Sequence, residues 1–250
     1  MLSKLLKFDD IAYALSMNGM LERANTSLFK FLNPDNITQS IPTKLLSNAK
    51  GIVFLTTFKA GFLIGACYGV GIIMAKLDNV KQPWSSPCAI AIMGLHGGLH
   101  AGAQKTNFII VLRTDGAVDA FSKKGQLKFG ADVSIAAGPY GRDANIAMSI
   151  NQKGFTPTVS YSMAKGVYLG ISLEGQGIGV RNDCNCTFYD RDNIHISSLL
   201  NGNIKMPKRN KDFEGICRQL RRYIKTDNNN IKIKTKSINI IPNNDDIKTN

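Results

Sequence analysis

The sequence predicts an α+β fold: N-terminal helices packed on a curved, mostly antiparallel β-sheet, then a basic C-terminal helix and a flexible tail. Apolar residues recur at helical spacing in residues 2–32, and the period changes to two from Gly51 onward. Turns rich in glycine and proline separate the alternating segments. Strands joined in this way favour an antiparallel sheet that is strongly curved or closed like a barrel.

Two helical segments are predicted before the sheet. Residues 2–32 are predicted to be helical and to end before Pro34, with most of the apolar stripe packed on the domain. A short helix is predicted over 42–50, because Pro42 suits a first turn and Gly51 suits a stop. The residues that define the first stripe are Leu5, Phe8, Ala12 and Leu15.

The clearest strand pattern covers residues 64–75, where even positions are mostly bulky and odd positions are mostly small. This pattern predicts a strand whose small face is approached closely by another backbone or by a helix. Further strands are predicted over 108–112, 127–137 and 167–174, a short helix over 115–123, and turns at Gly97-Gly98 and Gly138-Pro139.

The C-terminal part differs in composition from the rest of the chain. A helical pattern covers residues 213–224, and from Asp227 the chain is rich in Asn, Lys, Ile and Asp, which predicts a disordered or loosely attached tail. We therefore expect a domain over 1–202, a basic helical extension over 203–226 and a tail over 227–250.

The charge balance indicates a polyanionic partner. The net charge is +13, and the residues from Asn203 onward hold 12 Lys and Arg against 5 Asp and Glu. Such a protein favours acidic lipid headgroups, nucleic acid or an acidic protein surface, and charge alone does not choose among them.

The cysteines and the hydropathy pattern predict a cytoplasmic protein. The 5 cysteines are odd in number and scattered, which favours free thiols in a reducing compartment. No secretory signal is expected at the start, because Asp9 and Asp10 interrupt the apolar residues. No transmembrane segment is expected, because the uncharged run 60–75 is too short and too rich in glycine.

Several runs of the sequence resemble one known family, in order and over about residues 15–200. They are IPTKLLSNAKGIVFL (41–55), KAGFLIGACYGVGIIMAKL (59–77), WSSPCAIAIMGLHGGLHAGAQ (84–104), TNFIIVLRTDGAVDAF (106–121), AAGPYGRDAN (136–145) and GVYLGISLEGQGI (166–178). Together they resemble the SYLF domain.

The resemblance implies a module that binds phosphoinositides, not an enzyme. Several members of that family bind or bundle actin filaments, and they act at endocytic or ruffling membranes. Many carry a Src-homology proline-binding domain or a FYVE zinc finger as well. After Asn201 this sequence has the pattern of neither, and the basic segment 205–236 stands there instead.

Basic residues are the best candidates for lipid binding. In the family, lipid binding is associated with an N-terminal basic helix, so Lys4 and Lys7 are the nearest equivalents, and we hypothesise that this helix inserts Leu5 and Phe8 beneath the headgroups. The alternative interpretation is an ordinary solvated surface. The remaining candidates are Arg23, Lys30, Lys44, Lys50, Lys59, Lys208, Arg209, Arg221 and Arg222.

A second set of residues is predicted to be structural. Arg142 follows a turn and Glu174 ends an apolar strand, so the two could form a pair that holds a turn or the strand register. The whole set is Trp84, Pro87, Gly138, Pro139, Gly141, Arg142 and Glu174.

Catalytic and metal-binding motifs are poor. The nucleophile elbow and the phosphate-binding loop are both absent. His96 and His100 would stand roughly 13 Å apart on a strand, too far for one metal ion, unless Gly97-Gly98 is a turn. Cys184 and Cys186 are closer in sequence than a usual zinc pair. We predict no catalytic residue, no metal and no cofactor.

Two rival functions remain. The basic C-terminal segment could bind nucleic acid or an acidic protein, although its only aromatic residues, Phe213 and Tyr223, make a poor stacking platform. The other rival is an enzyme with an unrecognised pocket. We favour a module that joins phosphoinositide-bearing membranes to actin filaments.

Overall fold

The computed structural model describes residues 8–32, 41–78, 82–122, 127–129, 144–151 and 154–238 of the chain. Its element order is three helices, two long strands, a helix, three strands and three helices. The α+β class predicted from the sequence is confirmed.

The predicted N-terminal helical segment is two helices in its described part. Helix α1 spans Phe8–Leu15 and α2 spans Met17–Leu32. They are separated at Ser16, whose Oγ accepts a hydrogen bond from the Gly19 N–H at 3.2 Å. Helix α2 buries its apolar stripe, whereas α1 buries none of its residues. The expectation that the stripe packs on the domain holds for Leu15, which is partly buried against the core, and is wrong for Ala12, which is exposed, and for Phe8, which is 83% exposed.

Five antiparallel strands form one sheet. Strand β2 (Cys88–Leu112) lies between β1 (Gly51–Ala75) and β5 (Gly154–Val180). Two shorter strands, β3 (Leu127–Phe129) and β4 (Ala144–Asn151), pair with β5. Among the described strands no pairing closes the sheet, so the barrel alternative is not realised.

The predicted turn at Gly97-Gly98 is wrong, because both glycines lie inside β2. Gly97 pairs with Ile64 of β1 and with Leu173 of β5, so a strand on each side keeps it extended. His96 and His100 therefore stand on one continuous strand.

Strand β1 folds back on itself. Its register with β2 shifts between Phe62 and Ile64, and Leu63 between them has a left-handed φ of 59°. The two arms then run face to face: a Cβ at Gly71 would lie 2.0 Å from the carbonyl oxygen of Phe54. The predicted close approach to the small face of residues 64–75 is confirmed, and the approaching backbone is the other arm of the same strand.

Helices cover the ends of this bent ribbon. Helix α3 (Thr43–Ser47) and helix α4 (Asp115–Ser122) lie where short helices were predicted. Helices α5 (Asn182–Tyr189) and α6 (Ile196–Leu200) follow β5. Strand residues at both ends of β1, from Gly51 to Thr57 and from Gly69 to Ala75, are buried.

The last helix belongs to the core. Helix α7 (Lys211–Ile238) extends beyond the predicted 213–224 and packs on α2 and α3. Its side chains Phe213, Ile216 and Leu220 are buried in the same apolar cluster as the sheet. The division of the chain at 202 and 226 stays a prediction, and residues 239–250 lie outside the described residues.

The predicted structural residues fall into two groups. Trp84 is buried and forms an isolated β-bridge with Lys76, and the carbonyl of buried Pro87 accepts a hydrogen bond from the Tyr189 hydroxyl at 2.6 Å. Glu174 stands opposite His96 in the β2–β5 register. Gly138, Pro139, Gly141 and Arg142 lie outside the described residues, so the proposed pairing of Arg142 with Glu174 stays a prediction.

Candidate functional site

A cleft of about 1060 Å³ in the described part of the chain is lined by several basic residues. It lies where the junction of α1 and α2 meets α5 and the segment that leads into α7. This volume is typical of pockets that hold a small ligand. Four basic residues line it, namely Arg181, Arg191, Lys208 and Arg209.

Arg181 joins three elements at the floor of the cleft. Its backbone N–H donates to the Ala89 carbonyl at 2.9 Å, which ends β5 against β2. One guanidinium nitrogen donates to the Leu15 carbonyl at the end of α1, and another donates to Asp183 Oδ2 at 2.6 Å. The Arg181 hydrogen bond lowers the pKa of the Asp183 carboxyl. Arg181 is therefore a structural cation whose charge is already paired.

The segment with Lys208 and Arg209 is held by the residue that follows it. Asn210 Oδ1 accepts hydrogen bonds from the N–H groups of Asp212 and Phe213, both at 3.0 Å, and so caps α7. Asn210 Nδ2 donates to Asn18 Oδ1 at 3.0 Å, which fastens the segment to α2. The cap thus fixes the position of the basic residues just before it.

Arg209 and Lys208 differ in their partners. Arg209 Nε donates to Glu214 Oε1 at 2.7 Å, and that hydrogen bond lowers the pKa of the Glu214 carboxyl. Lys208 is exposed and has no ion pair within the described ranges. An anion can recruit Lys208 without first breaking an existing pair.

Arg191 is the second cation of the cleft without an acidic partner in the described part of the chain. The chain reverses at the end of α5, where Asp190 adopts a left-handed φ of 52°. The Arg191 N–H then donates to the Cys186 carbonyl at 3.1 Å, and its exposed side chain lines the cleft. Arg191 and Lys208 together supply the positive charge that is available to a ligand.

The thiol and the phenol that line the cleft are poor nucleophiles. Its thiol, Cys184, is buried, and burial raises its pKa. Burial also raises the pKa of Tyr189, whose hydroxyl donates to a backbone carbonyl. Both groups therefore stay protonated near neutral pH and provide no nucleophile.

The structure scatters the other predicted lipid-binding residues. Arg23 is half-buried, donates to the Ala14 carbonyl at 2.6 Å, and has a pKa lowered by burial. Lys50 forms an ion pair with Asp115 at 3.5 Å. Lys59 is half-buried in the middle of β1. Exposed positions on α2, α3 and α7 hold Lys30, Lys44, Arg221 and Arg222.

Only two predicted residues, Lys208 and Arg209, meet in the cleft, and Lys4 and Lys7 lie outside the described residues. Sequence reasoning missed Arg181 and Arg191. In a local charge count the neighbouring Asp190 and Asp192 cancel Arg191, so the sequence carries no clear signal for it.

Metal-ligand clusters and membrane-spanning helices are both absent from the described part of the chain. No group of three His, Cys, Asp or Glu side chains is placed there to hold a metal ion. None of the helices described has the length and apolar character needed to cross a bilayer.

Comparison with known proteins gives a consistent family. Residues 93–222, more than half of the chain, match the family model described as Ysc84, Las17-binding protein actin regulator. No solved structure matches the chain.

Several curated proteins are similar to the chain. The SH3 domain-containing protein PJ696.02 of Schizosaccharomyces pombe is 37% identical over 195 residues, which are 77% of this chain and 45% of that protein. Protein YSC84 of Saccharomyces cerevisiae is 36% identical, over 77% of this chain and 41% of its own length. The SH3 domain-containing YSC84-like protein 1 of Rattus norvegicus is 35% identical over 201 residues, 80% of this chain and 57% of that protein.

The similarity thus covers most of this chain and roughly half of each of these relatives. The family match includes most of β2, all of α5 and most of the cleft. The chain therefore belongs to the SYLF-domain family, the Ysc84 family of proteins described as Las17-binding actin regulators.

Proposed function

We propose that this protein is a non-enzymatic module that binds phosphoinositide-bearing, acidic membrane surfaces and links them to actin in endocytosis or cortical remodelling. The observation that carries the membrane half is the cleft with Arg191 and Lys208, two exposed cations without acidic partners in the described part of the chain. A phosphorylated headgroup is an anion of suitable size and charge for such a cleft.

The actin half rests on the family. The matching family is described as an actin regulator, and relatives such as LAS seventeen-binding protein 3 of Saccharomyces cerevisiae are named for binding Las17. We propose that this chain acts at the same kind of site, as a peripheral membrane protein of the cytoplasm. Those relatives are longer than the part that this chain matches, so a partner of their other regions is not carried over.

The N-terminal lysines remain part of the proposal. Lys4 and Lys7 precede α1, and α1 presents Phe8 to solvent on a helix that buries none of its residues. An exposed apolar residue beside lysines is the pattern of a helix that lies in a membrane interface.

The cleft is tested by charge reversal. Arg191→Glu with Lys208→Glu should weaken binding to phosphatidylcholine vesicles that contain a phosphoinositide by more than tenfold, because each cation near an acidic surface contributes about 1 kcal/mol. A matched control is Arg113→Glu with Lys205→Glu, two exposed cations that do not line the cleft. Co-sedimentation at several salt concentrations gives affinity and salt slope together.

The two variants separate a local site from general attraction. The cleft variant should lose affinity while the control loses much less, although both change net charge equally. Equal losses of affinity from both variants would contradict a lipid site in the cleft and leave only non-specific electrostatic attraction.

The proposed link to actin is tested by co-sedimentation of the wild-type chain with actin filaments, with and without vesicles. No filament binding under either condition would contradict that link.

A further inference from the structure

A group of large apolar side chains is exposed where the ribbon bends. Phe62 and Ile64, on either side of the bulge, are 73% and 77% exposed, and Met93 and Leu95 on β2 are 69% and 72% exposed. The whole group, called the apolar tip from here on, is Phe58, Phe62, Leu63, Ile64, Tyr68, Met93 and Leu95.

The register explains why these side chains are neighbours. Tyr68 stands opposite Met93 in the antiparallel ladder, so both side chains lie on one face of the ribbon. Ile64 lies on the same face as Tyr68, because alternate residues of a strand point the same way. Ile64, Tyr68, Met93 and Leu95 therefore form one exposed surface on that face, and Phe58 and Phe62 are exposed on the arm before the bend.

The inner face of the bend forces the bulky groups outward. A Cβ at Gly61 would lie 2.5 Å from the Cα of Gly65, so the two arms of β1 are in backbone contact there. No larger side chain fits between them, and the bulky residues of both arms occupy the outer faces. Nearer the ends of the ribbon the helices cover those faces, but at the tip they do not.

The two strands that carry the apolar tip have charges of one sign, whereas Glu174 of the neighbouring β5 stands opposite His96. Strands β1 and β2 contain no Asp or Glu, and their lysines are Lys59 and Lys105. Lys105 Nζ lies 5.2 Å from the centre of the Phe58 ring, at the border of the tip. An apolar surface bordered by cations complements a surface that is anionic outside and apolar beneath.

We propose that the apolar tip inserts into the acyl-chain boundary of an acidic bilayer, with Lys59 and Lys105 at the level of the headgroups. This inference rests on the proposed function, because it requires that the chain binds acidic membranes. The tip and the cleft are separate: about ten residues of β2 lie between Ala89, which contacts α5, and Leu99 near the bend, a distance of roughly 33 Å along the strand. If both contact one bilayer, the ribbon lies at a low angle to it.

Affinity is tested with variants of the full chain. Phe62→Ser with Ile64→Ser should weaken binding to phosphatidylcholine vesicles containing phosphatidylserine and a phosphoinositide by about tenfold or more, with an unchanged salt slope, since burial of apolar groups is not screened by salt. The matched control is Phe29→Ser, on a side chain of α2 that is 65% exposed and lies outside the tip. The control should bind as the wild type does.

Insertion itself is tested by fluorescence. The single native tryptophan, Trp84, is 2% exposed and gives a constant background. In Phe62→Trp the added emission should shift to shorter wavelength on vesicles and be quenched by lipids brominated on the acyl chain. In the control Phe29→Trp neither change is expected. This readout also decides the question if the serine variant fails to fold.

The outcomes separate this inference from the function on which it rests. Suppose that the wild type binds acidic vesicles, that brominated lipids leave the added emission of the Phe62→Trp variant unquenched, and that the serine substitutions cost no affinity. That result would overturn insertion and leave membrane binding intact. A wild-type chain that binds no acidic vesicle would overturn both. A serine variant that converts a dimer to a monomer while it still binds vesicles would overturn insertion in favour of contact between two copies of the chain.

Discussion

Asn185 hydrogen-bonds to both backbone groups of Ala89. Its Oδ1 accepts from the Ala89 N–H at 2.8 Å, and its Nδ2 donates to the Ala89 carbonyl at 3.4 Å. Both residues are fully buried. The pairing of β2 with β5 ends at Ile90 and Val180, and beyond it the Ala89 carbonyl also accepts from the Arg181 N–H at 2.9 Å, whereas the Ala89 N–H is satisfied by the amide of α5. The helix is thereby fastened to the strand beside the cleft.

The first prediction concerns this contact. Asn185→Ala leaves a buried N–H of Ala89 without its partner, so the free energy of unfolding should fall by about 1–3 kcal/mol. Urea denaturation followed by circular dichroism measures it. Asn182→Ala, at an exposed position of the same helix, is the control and should change stability little. A loss at Asn185 no larger than the loss at Asn182 would show that the amide contact is dispensable.

The second prediction concerns the fold-back of β1. Gly71→Ala places a Cβ 2.0 Å from the Phe54 carbonyl oxygen, which the two arms can relieve only by separating. We expect destabilisation of about 3 kcal/mol or failure to fold, the upper range for overpacking. At Gly179 a Cβ would meet nothing within 4 Å, so Gly179→Ala is the control. Thermal melts that do not distinguish the two variants would contradict the close approach.

The third prediction concerns where the chain can be shortened. Removal of everything after Asn201 exposes the surface that Phe213, Ile216 and Leu220 cover, so that chain should be destabilised by several kcal/mol. A chain that ends after Thr226 keeps these residues and should melt at close to the full-length temperature. Only the second truncation is suitable for testing what the basic tail adds to lipid binding. Equal melting temperatures for both truncations would show that α7 contributes little to the core.

The fourth prediction concerns alkaline pH. Burial raises the pKa of the Cys88 thiol to about 12. In the unfolded chain a thiol titrates near about 8.5, so between about pH 8.5 and 12 the unfolded state has released a proton that the folded state retains. The contribution of the protonated Cys88 thiol to the free energy of unfolding is thus complete below about pH 8.5. As the pH rises above that value, this group lowers the free energy of unfolding by about 1.4 kcal/mol per pH unit.

Cys88→Ala tests the sign and the slope. In reducing buffer, the free energy of unfolding of the variant should decrease less steeply with pH than that of the wild type. Comparing the slopes of the two curves removes the loss of stability that the smaller alanine side chain causes equally at every pH. Parallel curves for the two proteins would contradict a protonated, buried thiol.

Local features of the sequence predicted local structure well. The alternation of bulky and small residues over 64–75 depends only on the period of a strand, so the strand and its closely approached face were both predicted. Gly97-Gly98 resembled a turn because glycine is permissive in both settings, and only the neighbouring strands on each side decide that it is extended.

The candidate site was predicted less well, because it depends on which segments meet in space. Lys208 and Arg209 were selected for their charge, but Arg191 reaches the same cleft through a left-handed turn that its sequence neighbours do not signal. Phe8 and Phe62 illustrate the same limit for apolar groups. Hydrophobicity favours burial, yet each is exposed because no described helix covers it.

The bent ribbon of β1 and β2 also sets an order in which the chain can assemble during synthesis. Its two strands are complete once Leu112 has left the ribosome, and contacts such as Phe54 with Gly71 close only a short loop. The opposite edge of β2, from Ile90 to Leu112, pairs only with β5, which is made much later. Until then the nascent chain carries a long apolar edge with free hydrogen-bonding groups, a template for pairing with other chains. That edge is therefore the part of the ribbon most exposed to pairing with other chains during translation, because its partner β5 is the last of the described strands to be made.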